Sequence, residues 1–212
     1  MSTTTSLTCS IFLSKLITQY AFIHEKTVGK TAGEYIRQIG LRTGEWIEDF
    51  YGKREDEWSV DKYAEVIVDL KNAIGGEFYI SSISPEYVVV KANRCPFGEM
   101  VKDAPHLCNM TSSVFGGIAS RKFGYGKVDL KKRIAVGDLG CEVVIYFQPN
   151  GEVNGDVYDN LPRTPESMDP FQWESETIVL LNEELRKSDE LVVKLLDELE
   201  CLRRQVKEGS VI

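Results

Sequence analysis

Histidine is scarce: the 212 residues contain two, His24 and His106. So few imidazoles leave little material for a histidine-rich metal centre or for a cysteine–histidine catalytic pair. His106 stands two residues from Cys108 on the same predicted element, and His24 falls on the first predicted helix, so neither is an evident base for a nucleophile. Positive charge is also in deficit. With 25 Lys and Arg against 33 Asp and Glu, the formal net charge is −8, and the resulting field repels phosphate backbones and anionic headgroups, which argues against nucleic acid as a partner. The 5 cysteines include no C-x-x-C pair and no ferredoxin-type spacing. They are too sparse for a disulfide framework and, with no secretory leader, point to a reducing, cytoplasmic setting. Long apolar runs are missing as well. The best candidate, "LTCSIFLSKLITQYAFI", is broken by Ser14, Lys15, Thr18 and Gln19, so it reads as an amphipathic helix and no membrane association is expected. Phosphate-binding loops are absent too: "GKT" at 29–31 would need a glycine where His24 stands, and "GGIASRKFGYG" lacks dinucleotide spacing.

What is present is an ordinary globular composition, 42% hydrophobic and 27% charged, on a chain long enough to bury a core without staples. Leu7, Ile11, Leu13, Leu16, Ile17 and Tyr20 recur at helical spacing, and Tyr35, Ile36, Ile39, Trp46, Ile47 and Phe50 repeat the pattern over about 31–51, where Gly40 and Gly44 are expected to bend the helix. Ser59 has the chemistry of an N-cap, with Asp61 in the first turn and Trp58 placed to staple against Tyr63. "EFYISSIS" and "EYVVVKAN" around Pro85-Glu86 read as a hairpin. Helical spacing returns from about Pro105 to Phe123. "GKVDLKKRIAV" and "CEVVIYF" around "GDLG" then form a second hairpin, with Cys141, Val143, Ile145 and Phe147 on one inward face. The order predicts an α+β domain over 1–147, with N-terminal helices packed on a largely antiparallel sheet of two hairpins and an intervening helix. Residues 148–170, rich in Pro, Gly, Asn and Asp, read as a linker.

Over 171–208 a heptad follows. Ile178, Leu185, Val192, Leu199 and Val206 occupy one seam position and Leu181, Ser188, Leu195 and Leu202 the other. Branched residues at the first position with Leu at the second favour a parallel two-stranded coiled coil, so a homodimer through the C-terminal helix is expected. A single amphipathic helix folded back on its own domain would carry the same stripe.

Cys95, Cys108 and Cys141 are the candidate site. Cys95 follows a strand, Cys108 opens a helix and Cys141 follows a tight turn, so the hairpin order could bring all three to one end of the sheet. Three readings compete. With His106 as a candidate fourth ligand, three thiolates form a tetrahedral set for zinc or a set for an iron–sulfur cluster. Alternatively, the three are buried thiols that pack as small apolar groups. In the third, Cys108, at a helix N-terminus that favours a thiolate, is a nucleophile in a small hydrolase or reductase-like enzyme, with Asp138 as the other residue able to do chemistry.

"CPFG", "PHLCNMTSSVFGGIA" and "FGYGKVDLKKRIAVGDLGCEVVIYF" together resemble the methanogen output domain family, small modules of prokaryotic signalling proteins that are similar in turn to the 4-vinyl reductase superfamily of small-molecule-binding domains. The resemblance runs from about Leu7 to Phe147 and is strongest from Cys95 onward. It implies an α+β sensory or output module in which Cys95, Cys108 and Cys141 belong to the family pattern, while His106 does not. A signalling module is therefore expected rather than an enzyme. It would sense a ligand, redox state or metal centre at the three cysteines and act through its coiled coil on a partner protein, with a non-sensing scaffold as the alternative.

Overall fold

Thr8 opens the first helix by accepting the Ile11 N–H on its hydroxyl at 3.2 Å, and α1 runs Cys9–Val28 until Gly29, at φ 69°, turns the chain. Leu7 lies outside the residues that the computed structural model describes, which are 8–52, 57–149, 153–164 and 172–209. They fall into two units, 1–163 and 164–212.

In the first unit a short turn over Gly29–Thr31 leads into α2 (Ala32–Tyr51), which is continuous across Gly40 and Gly44. These glycines serve packing: a Cβ on Gly40 would stand 2.7 Å from the Ser113 Cβ, so the bare backbone admits the neighbouring helix. α3 (Val60–Ala73) is capped as expected, with Ser59 accepting the Lys62 N–H at 3.1 Å. The predicted hairpin is β1 (Glu77–Ile83) and β2 (Tyr87–Arg94), closed by Ser84, whose hydroxyl accepts the N–H groups of Glu86 and Tyr87. Two 3-10 turns, Gly98–Asp103 and Pro105–Leu107, then feed α4 (Cys108–Phe123). β3 (Tyr125–Lys132) and β4 (Cys141–Tyr146) follow, joined by a loop that contains a 3-10 turn at Ile134–Val136.

The sheet is antiparallel throughout, in the order β1-β2-β4-β3-β5. Its fifth strand, β5 (Asp156–Asp159), comes from the segment expected to be linker and pairs with β3. A four-residue strand amid turn formers has no local pattern to reveal it; it is held by tertiary contacts. Tyr158 is buried, its hydroxyl lies 2.9 Å from Ser112 Oγ, and its ring occupies the space left by the missing side chain of Gly116. The register of β1 against β2 slips twice, between Glu77 and Phe78 and between Ile80 and Ser82.

α4 is the central helix. It packs on α2 on one side and on β3 and β5 on the other, and every residue from Ser112 to Ser120 is buried. The main core joins Tyr63 and Ile67 of α3, Phe115 and Ile118 of α4, and Val90 and Ile145 of the sheet. Tyr63 donates its hydroxyl to the Phe115 carbonyl at 2.8 Å. Glu48, 1% exposed, is held between Arg121 at 2.6 Å and Arg163 at 3.0 Å. A second apolar cluster, including Ala21, Ile36, Phe97, Val101, Leu107 and Ile134, lies against the three candidate cysteines.

The second unit contains α5 (Gln172–Gly209), a single helix of 38 residues. Leu185, Val192, Leu195 and Leu199 of the predicted seam are each at least half exposed. The side chains of Ile178, Leu181, Leu202 and Val206 lie outside the described residues. Among the described residues no helix is long and apolar enough to cross a membrane.

Candidate functional site

The sheet order explains how distant cysteines meet. β2 and β4 are antiparallel neighbours, so the end of β2 lies beside the start of β4, and Ala92 pairs with Cys141. Cys95 leaves β2 in a turn closed by the Gly98 N–H donating to the Cys95 carbonyl at 2.9 Å. Cys108 begins α4, which packs on β3 and β5. The three side chains line one cavity of about 30 Å³, roughly the room for two waters.

The thiols are held in their neutral form. Burial pushes Cys95 and Cys141 up, offset in part by N–H groups that reach their sulfurs, Phe97 for Cys95 and Ile134 for Cys141 at 3.5 Å. Burial pushes Cys108 up to about 11, and the neighbouring Cys95 and Cys141 add to it. The helix N-terminus therefore does not offset the burial of Cys108. The turn Pro105–Leu107 runs directly into α4, so the Cys108 N–H is already bonded to carbonyls of that turn, and desolvation outweighs the residual helix field.

The most unusual group in the cavity is one that sequence reasoning passed over. Lys71, on α3, is 5% exposed and lines the same space. Its Nζ donates to Thr111 Oγ1 at 2.8 Å and lies 5.4 Å from the Phe115 ring centre and 5.9 Å from that of Phe78. Among the described residues it makes no ion pair. Burial lowers its pKa from 10.5 to about 8, and only ionised cysteines at Cys95, Cys108 and Cys141 would draw it back toward the charged form. A signal for it existed: Tyr63, Ile67 and Lys71 are spaced four apart, so the lysine continues the buried stripe of α3. Two more cations, Lys132 and Arg133, line the cavity, and no Asp or Glu does. In a chain of net charge −8 this is a local inversion of sign.

The other predicted residues lie elsewhere. His106 is not on the cavity wall; its Nδ1 approaches Glu25 of α1 at 3.4 Å, and both ring nitrogens are buried without a hydrogen-bond partner. Asp138 is exposed and fastens its own loop by accepting the Arg133 N–H at 2.7 Å. No histidine lines the cavity to act as a base for Cys108. Among the described residues, no three His, Cys, Asp or Glu side chains form a group arranged to hold a metal ion. A zinc or cluster site on Cys95, Cys108 and Cys141 fits this arrangement poorly. A cation there would enter beside the Lys71 ammonium, which lines the same space.

Comparison with curated proteins gives no match. The family model of methanogen output domain 1 matches residues 45–146. The matched span starts within α2 and ends with β4, and it takes in Lys71 and all three cavity cysteines. It is narrower than the stretch over which the sequence motifs resemble the family, because α1 and most of α2 fall outside. Over residues 45–146 the chain is thus similar to methanogen output domain 1.

Proposed function

We propose that the chain is a signalling module whose input is the chemical state of the cavity lined by Cys95, Cys108 and Cys141, set by a small ligand or by thiol redox state, and whose output is α5. In this reading the heptad face of α5 pairs with the same helix of a second copy, and the pairing is read by a partner protein in the cytoplasm. One observation carries it: three cysteines separated by 13 and 33 residues in the chain line a single space together with a buried lysine. Packing alone gives no reason to place an ammonium there, because an apolar side chain would fill the same volume at lower cost. The family supports the direction, since output domains belong to signalling proteins. The half-exposed apolar seam of α5 supports self-association, because a helix with such a stripe gains by covering it.

The test is sedimentation of the purified full chain, reduced and oxidised, alongside the variant with all three cysteines changed to serine. Wild type is expected to change its monomer–dimer equilibrium at least threefold between the two conditions, and the variant is expected to show one equilibrium in both. Absorbance and metal analysis of the fresh protein run in parallel to read out the zinc and cluster alternatives. Cysteine-to-serine protein that folds and still responds as wild type would remove the thiol site from the input.

A further inference from the structure

The charges around the cavity determine which ligand it suits. Lys71 is inside, fully enclosed, with a single hydrogen-bond partner in Thr111 for three N–H donors. Lys132 is exposed and Arg133 half-buried, so these two cations mark the open side of the cavity. Among the described residues neither forms an ion pair with a carboxylate side chain. The groups facing Lys71 are three thiols, which burial keeps neutral, so the protein itself supplies no anion at this point. Asp138 acts on Cys141 from the surface loop and does not line the cavity. The remaining wall is apolar, with Phe78, Phe97, Val101, Leu107, Leu130 and Val143.

From this arrangement we infer that the cavity is a binding site for a small organic carboxylate, whose anionic head meets Lys71 and whose short alkyl end lies against the apolar wall. The inference rests on the reading of this cavity as an input site, and it names the class of ligand. Size limits the class. About 30 Å³ holds two water-sized groups, so the smallest carboxylates fit only with a small outward shift at the open side, and larger ones are excluded. Charge and shape narrow it further. A monoanion neutralises one enclosed ammonium, whereas a phosphate dianion brings a second charge and four polar oxygens that the apolar wall cannot satisfy. The cations at the open side attract either anion on approach, so selectivity arises inside. Binding is reversible and non-covalent, and the thiols contribute contact rather than chemistry.

The experiment uses the full chain and sodium acetate as probe, titrated at constant ionic strength against sodium chloride, with methyl resonances of Val101, Leu107, Leu130 and Val143 as the readout. Acetate is expected to shift these signals along one saturable isotherm, and Lys71→Met is expected to weaken it at least tenfold. Phosphate is expected to leave them in place. Shifts that chloride reproduces, an isotherm unchanged in Lys71→Met, or phosphate binding as tightly as acetate would each overturn the inference. Should the variant fail to fold, the wild-type titration with its chloride and phosphate arms still decides. Sedimentation on the same samples separates the two claims. If acetate binds and neither acetate nor oxidation alters self-association, the inference stands and the signalling reading fails. If oxidation alters self-association while acetate does not bind, the reverse holds.

Discussion

Replacing Lys71 by methionine is expected to make the protein more stable at neutral pH, although it removes a hydrogen bond. Methionine has nearly the same length and no charge, and it suits the two phenyl rings that flank the lysine. Burial has moved the Lys71 pKa from 10.5 to about 8. At about 1.4 kcal/mol per tenfold change in proton affinity, keeping the ammonium enclosed at pH 7 costs on the order of 3 kcal/mol. Loss of the bond to Thr111 returns about 1 kcal/mol, and loss of the cation–ring contacts about as much again. The net gain for Lys71→Met is therefore on the order of 1 kcal/mol in a carboxylate-free buffer. Its dependence on pH is the sharper test. Between about 8 and 10.5 the unfolded chain holds a proton on this lysine that the folded chain has released. The lysine's contribution to stability is thus complete above about 10.5 and gone below about 8, so wild type gains on the variant as pH rises through this window. The cavity thiols act in the opposite sense. Their raised values keep protons on the folded chain above 9, which lowers stability as pH rises, but they are present in both proteins and largely cancel in the difference. Urea unfolding at pH 7, 8, 9 and 10 measures that difference directly. A variant that is less stable than wild type by an amount independent of pH would refute the argument, because it would mean that the enclosed ammonium carries no desolvation cost.

Two further outcomes follow from particular contacts. In Gly116→Ala the new methyl would stand 2.1 Å from the Tyr158 ring, so the ring must leave its place and its bond to Ser112. A loss of about 2–3 kcal/mol in urea unfolding is expected, and an unchanged midpoint would show that β5 is not clasped there. Cys108, pushed up to about 11 from 9, carries about a hundredfold less thiolate than an ordinary thiol near neutral pH. Iodoacetamide labelling followed by peptide mass analysis is accordingly expected to modify exposed Cys9 well before Cys108, and equal rates would contradict the burial of that thiol.

The parts of this fold that were legible in the sequence are those with a local cause. Ser59 caps α3 because a hydroxyl next to free N–H groups is favourable wherever it occurs, and the strands around Pro85 and the "GDLG" turn follow from alternation and turn chemistry. What escaped was set by distant partners. β5 exists because β3 offers an open edge and α4 offers the gap at Gly116, neither of which is near it in the chain. That the three cysteines line one space was only half legible: the hairpin order allows it, but it is the pairing of β2 with β4, a tertiary choice, that sets the end of β2 beside the start of β4. The state of those thiols was not legible: whether Cys108 is charged depends on how completely α4 is enclosed, and position at a helix start points the other way. Lys71 was hidden by its residue type. A lysine on a helix reads as solvated, and only its place four residues after Ile67 marks it as internal.

The borders of the sheet bear on how copies of this domain can meet. One border is β1, whose register slips twice within seven residues, and the other is β5, only four residues long. An irregular strand and a very short one are both poor templates for an incoming chain, which needs a straight row of free N–H and C=O groups to pair with. Fibril growth by edge-to-edge addition is disfavoured on either side, and crowding of this protein in a cell is expected to bring helical surfaces together instead.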